Sequence, residues 1–353
     1  MPKEAFPMLV TFLIGNGFDL NLGLETKYAH FYPLYLNSPK FSANDPDILA
    51  FKELLAEDGG YSRWADFERA LGEHTTEPPI NSEAALRKCL KDFKRCFAQY
   101  LQQEEDCINF DDCSRSMAHK FAECLCTHRD YLEPRLFRIV QSALPAKEVS
   151  IYHILDFNYT TIIDRLFPFF SFSDLRGGDK GRLIHVHGTH TSGMILGVDN
   201  LSQVANPDLF TNAVQQRMFL KPLLNQQSGQ GHDQDALSCI KQSDEICIFG
   251  MSLGETDLIW WQRIGLWLIS NSRHQLLIFT RGQALDPLFP EDILDHQDKI
   301  RNLFLSRTTL APESYPDFRD RIHIVITSDF FRLEPAMKAP LIGNPSPPAL
   351  TPA

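Results

Sequence analysis

The sequence predicts an α/β protein built on a doubly wound parallel sheet, with an all-helical subdomain inserted after the first strand. Three observations carry this reading. Residues 8–14 form a nearly uninterrupted apolar run that ends at Gly15-Asn-Gly-Phe-Asp19; such a run fits a strand buried on both faces at the centre of a parallel sheet. Apolar runs at 150–155 and 245–249 each lead through a polar or glycine-bearing turn into helical periodicity, which is the repeating unit of a doubly wound sheet. Between the first and second runs, residues 45–147 show helical spacing almost throughout.

Taken in order, the first turn comes first. Gly15 and Gly17 carry no Cβ, so the backbone there can bend sharply and approach a ligand closely. A helix starting near Asp19 would aim its unbonded amides at that turn, a geometry that favours phosphate. Two glycines also occur in ordinary strand-to-helix turns, and Asp19 also reads as a simple helix cap. Tyr28, Phe31, Tyr32 and Tyr35 follow at helical spacing, residues 37–47 break the helix, and Pro46 starts another. Apolar faces then recur at Ile48, Phe51, Leu54 and Leu55; at Trp64, Phe67 and Leu71; at Leu86, Leu90, Phe93, Phe97 and Leu101; and at Phe121, Leu125, Leu132, Phe137 and Val140. Asp66 and Glu68 flank one stripe. They read either as carboxylates paired with Arg63 and Arg69 or, for Glu68, as a group roofing a ligand site.

The second strand ends at Asp156-Phe-Asn-Tyr-Thr-Thr161, which puts Asn158 at the carboxyl end where such folds bind ligands. Residues 182–190 form a short strand with His185 and His187 on one face, and residues 193–198 a further strand leading to Asp199. Strands at 245–249, 275–280 and 323–327 alternate with a tryptophan-bearing helix at 257–269 and a charged helix at 291–306. The resulting division is residues 1–44 and 148–333 for the sheet domain, 45–147 for the helical insertion, and 334–353 for a proline-rich tail that is loosely attached.

Composition bounds the function. A chain of 353 residues can bury a large core, and its 43% hydrophobic and 22% charged residues are those of a globular protein. No stretch is long enough to span a bilayer and no signal peptide is visible, so a cytoplasmic location is expected and a membrane partner is not. The eight cysteines contain no C-x-x-C pair and only the lone Cys124-x-Cys126, which reads as reduced thiols without a zinc site. A formal charge of −11 offers no global attraction for nucleic acid.

The set GNGFD, FNYTT, HVHG and FGMSLGETD resembles the AbiH family of bacteriophage abortive-infection proteins, themselves similar to the sirtuin-like NAD-binding proteins. Gly17 and Gly23 keep the spacing of the sirtuin glycine turn. Phe157-Asn-Tyr-Thr160, His187-Gly188 and Gly250-Met-Ser-Leu253 match its later motifs in order over nearly the whole chain. The resemblance implies a Rossmann-like, sirtuin-like fold with NAD as ligand or substrate. It implies that Gly15, Asn16 and Gly17 cradle the pyrophosphate with Phe18 and Asp19 beside them, and that Thr160, Gly188, Gly250, Ser252, Leu253 and Asp257 line the nucleotide site. It further implies that Asn158 holds the nicotinamide ribose or a water and that His187 acts as base. The four-cysteine zinc module is missing, Phe157 stands where the sirtuin pattern has glutamine, and Thr160 where it has aspartate; these departures argue against protein deacylation.

The chemistry supports the last two roles. Cleavage of the nicotinamide glycosidic bond passes through an oxocarbenium-like transition state, so a positioned hydroxyl or water and a base that removes its proton accelerate it. Histidine at its ordinary pKa is largely neutral at cellular pH and can do so. Other readings remain beside this one. His187 and His185 each read as hydrogen-bonded strand-end histidines. His185, His187 and His190 read as metal ligands, though only Asp199 stands near to complete a set. Asp257 reads as pairing with the first turn of its helix. Gly250-Met-Ser-Leu-Gly254 satisfies G-x-S-x-G, with His274 and His323 downstream but no clear triad. The expected function is an anti-phage effector that hydrolyses NAD. The alternatives are a nucleotide-binding sensor that does not cleave it and, less favoured, a nuclease. Candidate partners are NAD or a related nucleotide, a phage-derived trigger and, through the tryptophan-rich helices, a second copy of the chain.

Overall fold

The computed structural model describes residues 7–37, 44–56, 66–145, 149–172, 178–227, 232–281 and 288–338. The expected helix face at Trp64, the partner Arg63 and most of the proline-rich tail lie outside these residues. Six strands form one sheet: β1 (Met8–Ile14), β2 (Ser150–Asp156), β3 (Gly178–His185), β4 (Glu245–Phe249), β5 (Gln275–Thr280) and β6 (Ile322–Ile326). Their order is β3-β2-β1-β4-β5-β6 and every pairing is parallel. The chain leaves β1 in one direction to build β2 and β3, then returns to pair β4 on the other side of β1. This Rossmann-like order opens a crevice between the carboxyl ends of β1 and β4, where doubly wound sheets take their ligands. The apolar runs form these strands because the sheet is covered on both faces; β4 is buried at every residue.

The helices are α1 (Gly17–Asn21), α2 (Tyr28–Asn37), α3 (Pro46–Ala56), α4 (Phe67–Glu73), α5 (Glu83–Asp106), α6 (Phe110–Thr127), α7 (Pro134–Ala143), α8 (Ile162–Leu166), α9 (Ala213–Phe219), α10 (Lys221–Gln227), α11 (His232–Gln242), α12 (Leu258–Ser270), α13 (Pro290–Ser306) and α14 (Pro316–Arg319). Local chemistry sets several starts. The side chains of Asp66 and Ser82 accept backbone hydrogen bonds at the starts of α4 and α5, and α7 and α13 begin with proline.

The helices between β1 and β2 divide between two cores. Residues of α2 to α5 pack with segment 194–223 in an aromatic-rich core that includes a Phe67–Phe93 stack at 3.8 Å. Helix α6 instead covers one face of the sheet, where Phe121 meets Phe18 and Phe331. Helices α11, α12 and α13 cover the opposite face. Residues 193–198 do not form the strand expected of them. Val198 makes a single bridge to Leu220, because this segment packs against the end of α9 rather than joining the sheet. The first residues of the proline-rich tail are tied down: Met337 bridges Ile108, and the Ala336 carbonyl accepts the Asn109 amide at 2.7 Å.

At the amino end of the sheet a charged brace is closed on itself. Glu245 is fully buried and is held by His128 at 2.8 Å and by the Arg129 guanidinium. Burial alone would raise the Glu245 pKa, but these two partners bring it down to about 2. Among the described residues, His128, Glu245 and Cys247 are the one His, Cys and carboxylate grouping close enough to share an ion; the guanidinium on Glu245 already supplies the positive charge. All eight cysteines are free thiols, and no helix among the described residues is long and apolar enough to cross a membrane.

Candidate active site

The two glycine turns lock together at the crevice. The Gly15 amide donates to the Phe249 carbonyl and the Gly17 amide to the Gly250 carbonyl, both at 2.9 Å. Gly250 has φ +70°, and a Cβ there would stand 2.7 Å from the Gly17 Cα; one on Gly15 would stand 2.6 Å from Met251 Cγ and 2.8 Å from the Gly250 oxygen. Backbone packing between the β1 and β4 turns therefore requires all three glycines. The amides expected to be free for phosphate are partly spent, since Phe18 donates to Gly15 and Leu20 to Asn16. Asn16 accepts from Thr26 Oγ1 at 2.5 Å, and the Phe18 ring is a core side chain, edge-on to Phe121 and Phe331. Asp19 is not a helix cap. It is buried, accepts from Thr160 Oγ1 at 3.0 Å, and has a pKa raised well above the usual range by burial and then by Asp156.

Beside this turn the structure assembles a buried charged network. The bridge between Val198 and Leu220 draws Lys221 inward at the start of α10, where only 3% of the residue is exposed. Its Nζ stands 2.6 Å from Glu68 Oε2, 3.3 Å from Asp257 Oδ1 and 3.0 Å from the Thr256 carbonyl. Asp257 Oδ1 in turn lies 2.8 Å from His187 Nε2. Asp199 caps the start of α12 by accepting the Ile259 amide, and the Tyr159 hydroxyl reaches Glu68 Oε1 at 3.0 Å. Burial would raise the Asp257 pKa, yet Lys221 and His187 hold it well below the usual carboxylate range. Burial would lower Lys221, yet Asp257, Glu68 and Asp199 hold it above the ordinary lysine value. Asp199 gains less from the lysine, and burial pushes it up to about 7. Because ionised Asp257 accepts the Nε2 proton, the neutral form of the His187 ring would carry its lone pair on Nδ1. That atom is buried and has no hydrogen-bond partner among the described residues.

Asn158 lies between Phe157 and Tyr159, whose rings flank His187 at 5.3 and 6.5 Å. Its backbone amide donates to Asp156 Oδ1 at 2.9 Å, while neither atom of its side-chain amide has a partner. The amide lies close enough to Asp156 to lower that pKa slightly without closing a hydrogen bond; burial prevails and carries Asp156 up to about 7. His185 Nε2 pairs with Asp164 at 2.6 Å, and its Nδ1 faces Asp156 at 3.6 Å. His190 bonds to the Tyr159 carbonyl and Gln102. The three histidines thus serve three different sets of partners and do not converge on one point.

A family model for bacteriophage abortive infection AbiH matches residues 11–278, well over half of the chain. The chain belongs to the AbiH family. Phage abortive infection is accordingly its biological role. No curated protein matches it.

The matched segment contains every motif singled out above, and the AbiH fold gathers them unequally. His187 and Asp257 are in direct contact, as are Asp19 and Thr160, and Gly15, Gly17 and Gly250 pack together. Asn158 makes no hydrogen bond to His187. Gly188, at φ +68°, is required by a tight turn against the Gly193 backbone. Ser252 is exposed, and Leu253 is buried at φ +55°, a costly conformation for a leucine at the rim of the crevice. Two residues of the network had no role in the sequence reading: Lys221 sits within an apolar run and carries no motif of its own, and Tyr159 lies inside the Phe157-Asn-Tyr-Thr160 motif, where only its neighbours Asn158 and Thr160 were singled out. Glu68 belongs to the network rather than to a pairing with Arg69, which instead bonds Glu73.

Proposed function

We propose that this AbiH protein binds NAD at the crevice between β1 and β4 and hydrolyses its nicotinamide glycosidic bond. The observation that carries this reading is the buried, unpartnered Nδ1 of His187, whose Nε2 is held by Asp257. A carboxylate that fixes one ring nitrogen as donor leaves the other as a base of defined direction. The free amide of Asn158, on the segment that flanks the His187 ring, supports a polar ligand there, since buried polar atoms without partners are costly. In the reaction, water adds to the ribose carbon as the bond to the nicotinamide nitrogen breaks. The leaving ring keeps the bonding electrons and becomes neutral, and the water proton passes to His187 Nδ1. Asn158 orients the water or a ribose hydroxyl. The carboxylates of the network favour the positive charge that develops on the sugar.

The test is NAD consumption by purified protein, alone and with phage-infected lysate as the source of a trigger, comparing wild type with Asn158→Ala and His187→Ala. Turnover by wild type and loss of about 100-fold or more in both folded variants is expected for a base and a positioning group. Binding of NAD without turnover under any condition would make the site a sensor. Neither binding nor turnover would end the nucleotide reading.

A further inference from the structure

The edge strand β6 runs between two helices on opposite faces of the sheet. Helix α7 lies on the face shared with α6, where Val140 is buried and Leu136 packs. Helix α13 lies on the other face, anchored by Phe304 and Leu305. Their first turns flank one cleft of about 450 Å³ at the carboxyl end of β6, lined by Leu136 from α7, Ile293 and Gln297 from α13, and residues 324–329. Both helices also expose apolar side chains: Phe137 and Ile139 on α7, Phe289 and Leu294 at the start of α13. Their charges are opposite. Arg135 and Arg138 are exposed on α7, and Glu291, Asp292 and Asp295 on α13, and none of these five makes an ion pair among the described residues. An apolar, charged surface without internal partners is the composition of an interface.

We infer that this edge is the contact between two copies of the chain, with α7 of one copy against α13 of the other. The charge pattern selects among two-fold arrangements, in which each patch must meet its complement twice. An axis perpendicular to the sheet would extend the sheet through an antiparallel β6 pair and place α7 beside its own copy and α13 beside its own copy, so that neither charged patch meets its complement. Strand addition is further blocked, because Arg301 and Gln297 side chains already hold the outward carbonyls of Ile322 and Ile324. An axis in the plane of the sheet, along β6, exchanges the faces. Helix α7 then meets α13 on both faces. Because both helices start at the carboxyl end of the strands, the arginines and the carboxylates come to the same height.

The experiment measures the dimerisation constant of the full chain over a concentration series by sedimentation and light scattering. Wild type should dimerise, more weakly at high salt. Arg135→Glu with Arg138→Glu, and separately Glu291→Arg with Asp295→Arg, should each weaken the dimer by at least about tenfold with an unchanged circular dichroism spectrum. Mixing the two reversed proteins, or combining all four changes in one chain, should restore association. A wild type that stays monomeric throughout overturns the inference and assigns the surface to another partner. So does a dimer that ignores both reversals, or reversals that complementation does not rescue.

Discussion

Lys221→Met tests whether the network beside His187 is held by this lysine. With Nζ at 2.6 Å from Glu68 and 3.3 Å from Asp257, an effective dielectric near 20 gives attractions of about 6 and about 5 kcal/mol. Desolvation of a buried ammonium offsets much of this, and removing one partner of such a group typically costs about 3–5 kcal/mol, because the other partners stay buried and uncompensated. Methionine fills similar volume, so little of the loss comes from a cavity. Urea unfolding should show the midpoint falling at unchanged slope. The cost should shrink when Glu68→Gln is added, since the amide removes one orphaned charge. A loss below about 1 kcal/mol, or strict additivity of the two changes, would mean that the lysine is not what holds the carboxylates in place.

Gly17→Ala should cost about 1–3 kcal/mol, read as a thermal midpoint several degrees lower, because the added methyl meets the Gly250 backbone and neither turn can yield; lost NAD binding at an unchanged midpoint would show instead that the glycine serves the ligand. Asp156 titrates near 7 in the fold against 3.8 for its ordinary value, so the folded state holds the extra proton. Its contribution to stability is present below about pH 4 and is lost as pH rises through about 7, by roughly 4 kcal/mol at most. Asp156→Asn should flatten stability against pH over that interval, and an unchanged profile would place the titration elsewhere.

The sheet was legible because β1 and β4 are buried almost throughout and therefore read as nearly continuous apolar runs. Residues 193–198 misled for the same reason: Leu196 and Val198 are buried, but against α9 and the helical core, and an apolar run does not say which surface buries it. The glycines were found but their cause was not, because the need for a missing Cβ at Gly17 lies in Gly250, more than two hundred residues away. The pairing of His187 with Asp257 joined two motifs that sequence order had already placed at strand ends. Lys221 was invisible: its burial depends on the bridge between Val198 and Leu220 and on carboxylates brought from α4 and from the turn before α12.

Energetics separates the two charged clusters of the fold. At the amino end, Glu245 faces His128 and Arg129, so its charge is met and the brace is complete. At the carboxyl end, Lys221 faces Glu68, Asp257 and Asp199, with Lys94 near Glu68 as a second cation, and burial raises the pKa of Glu68 as well as that of Asp199. That cluster is short of positive charge, a state a fold does not need for stability, since apolar replacements of similar size often serve as well. A proton taken up by His187 Nδ1 relieves the shortage through Asp257, and so does a sugar carbon turning positive beside it. Both arise in the same step of the proposed hydrolysis. The uneven balance at this end is therefore what the proposed hydrolysis would call for, and the balanced one at the other end is what packing calls for.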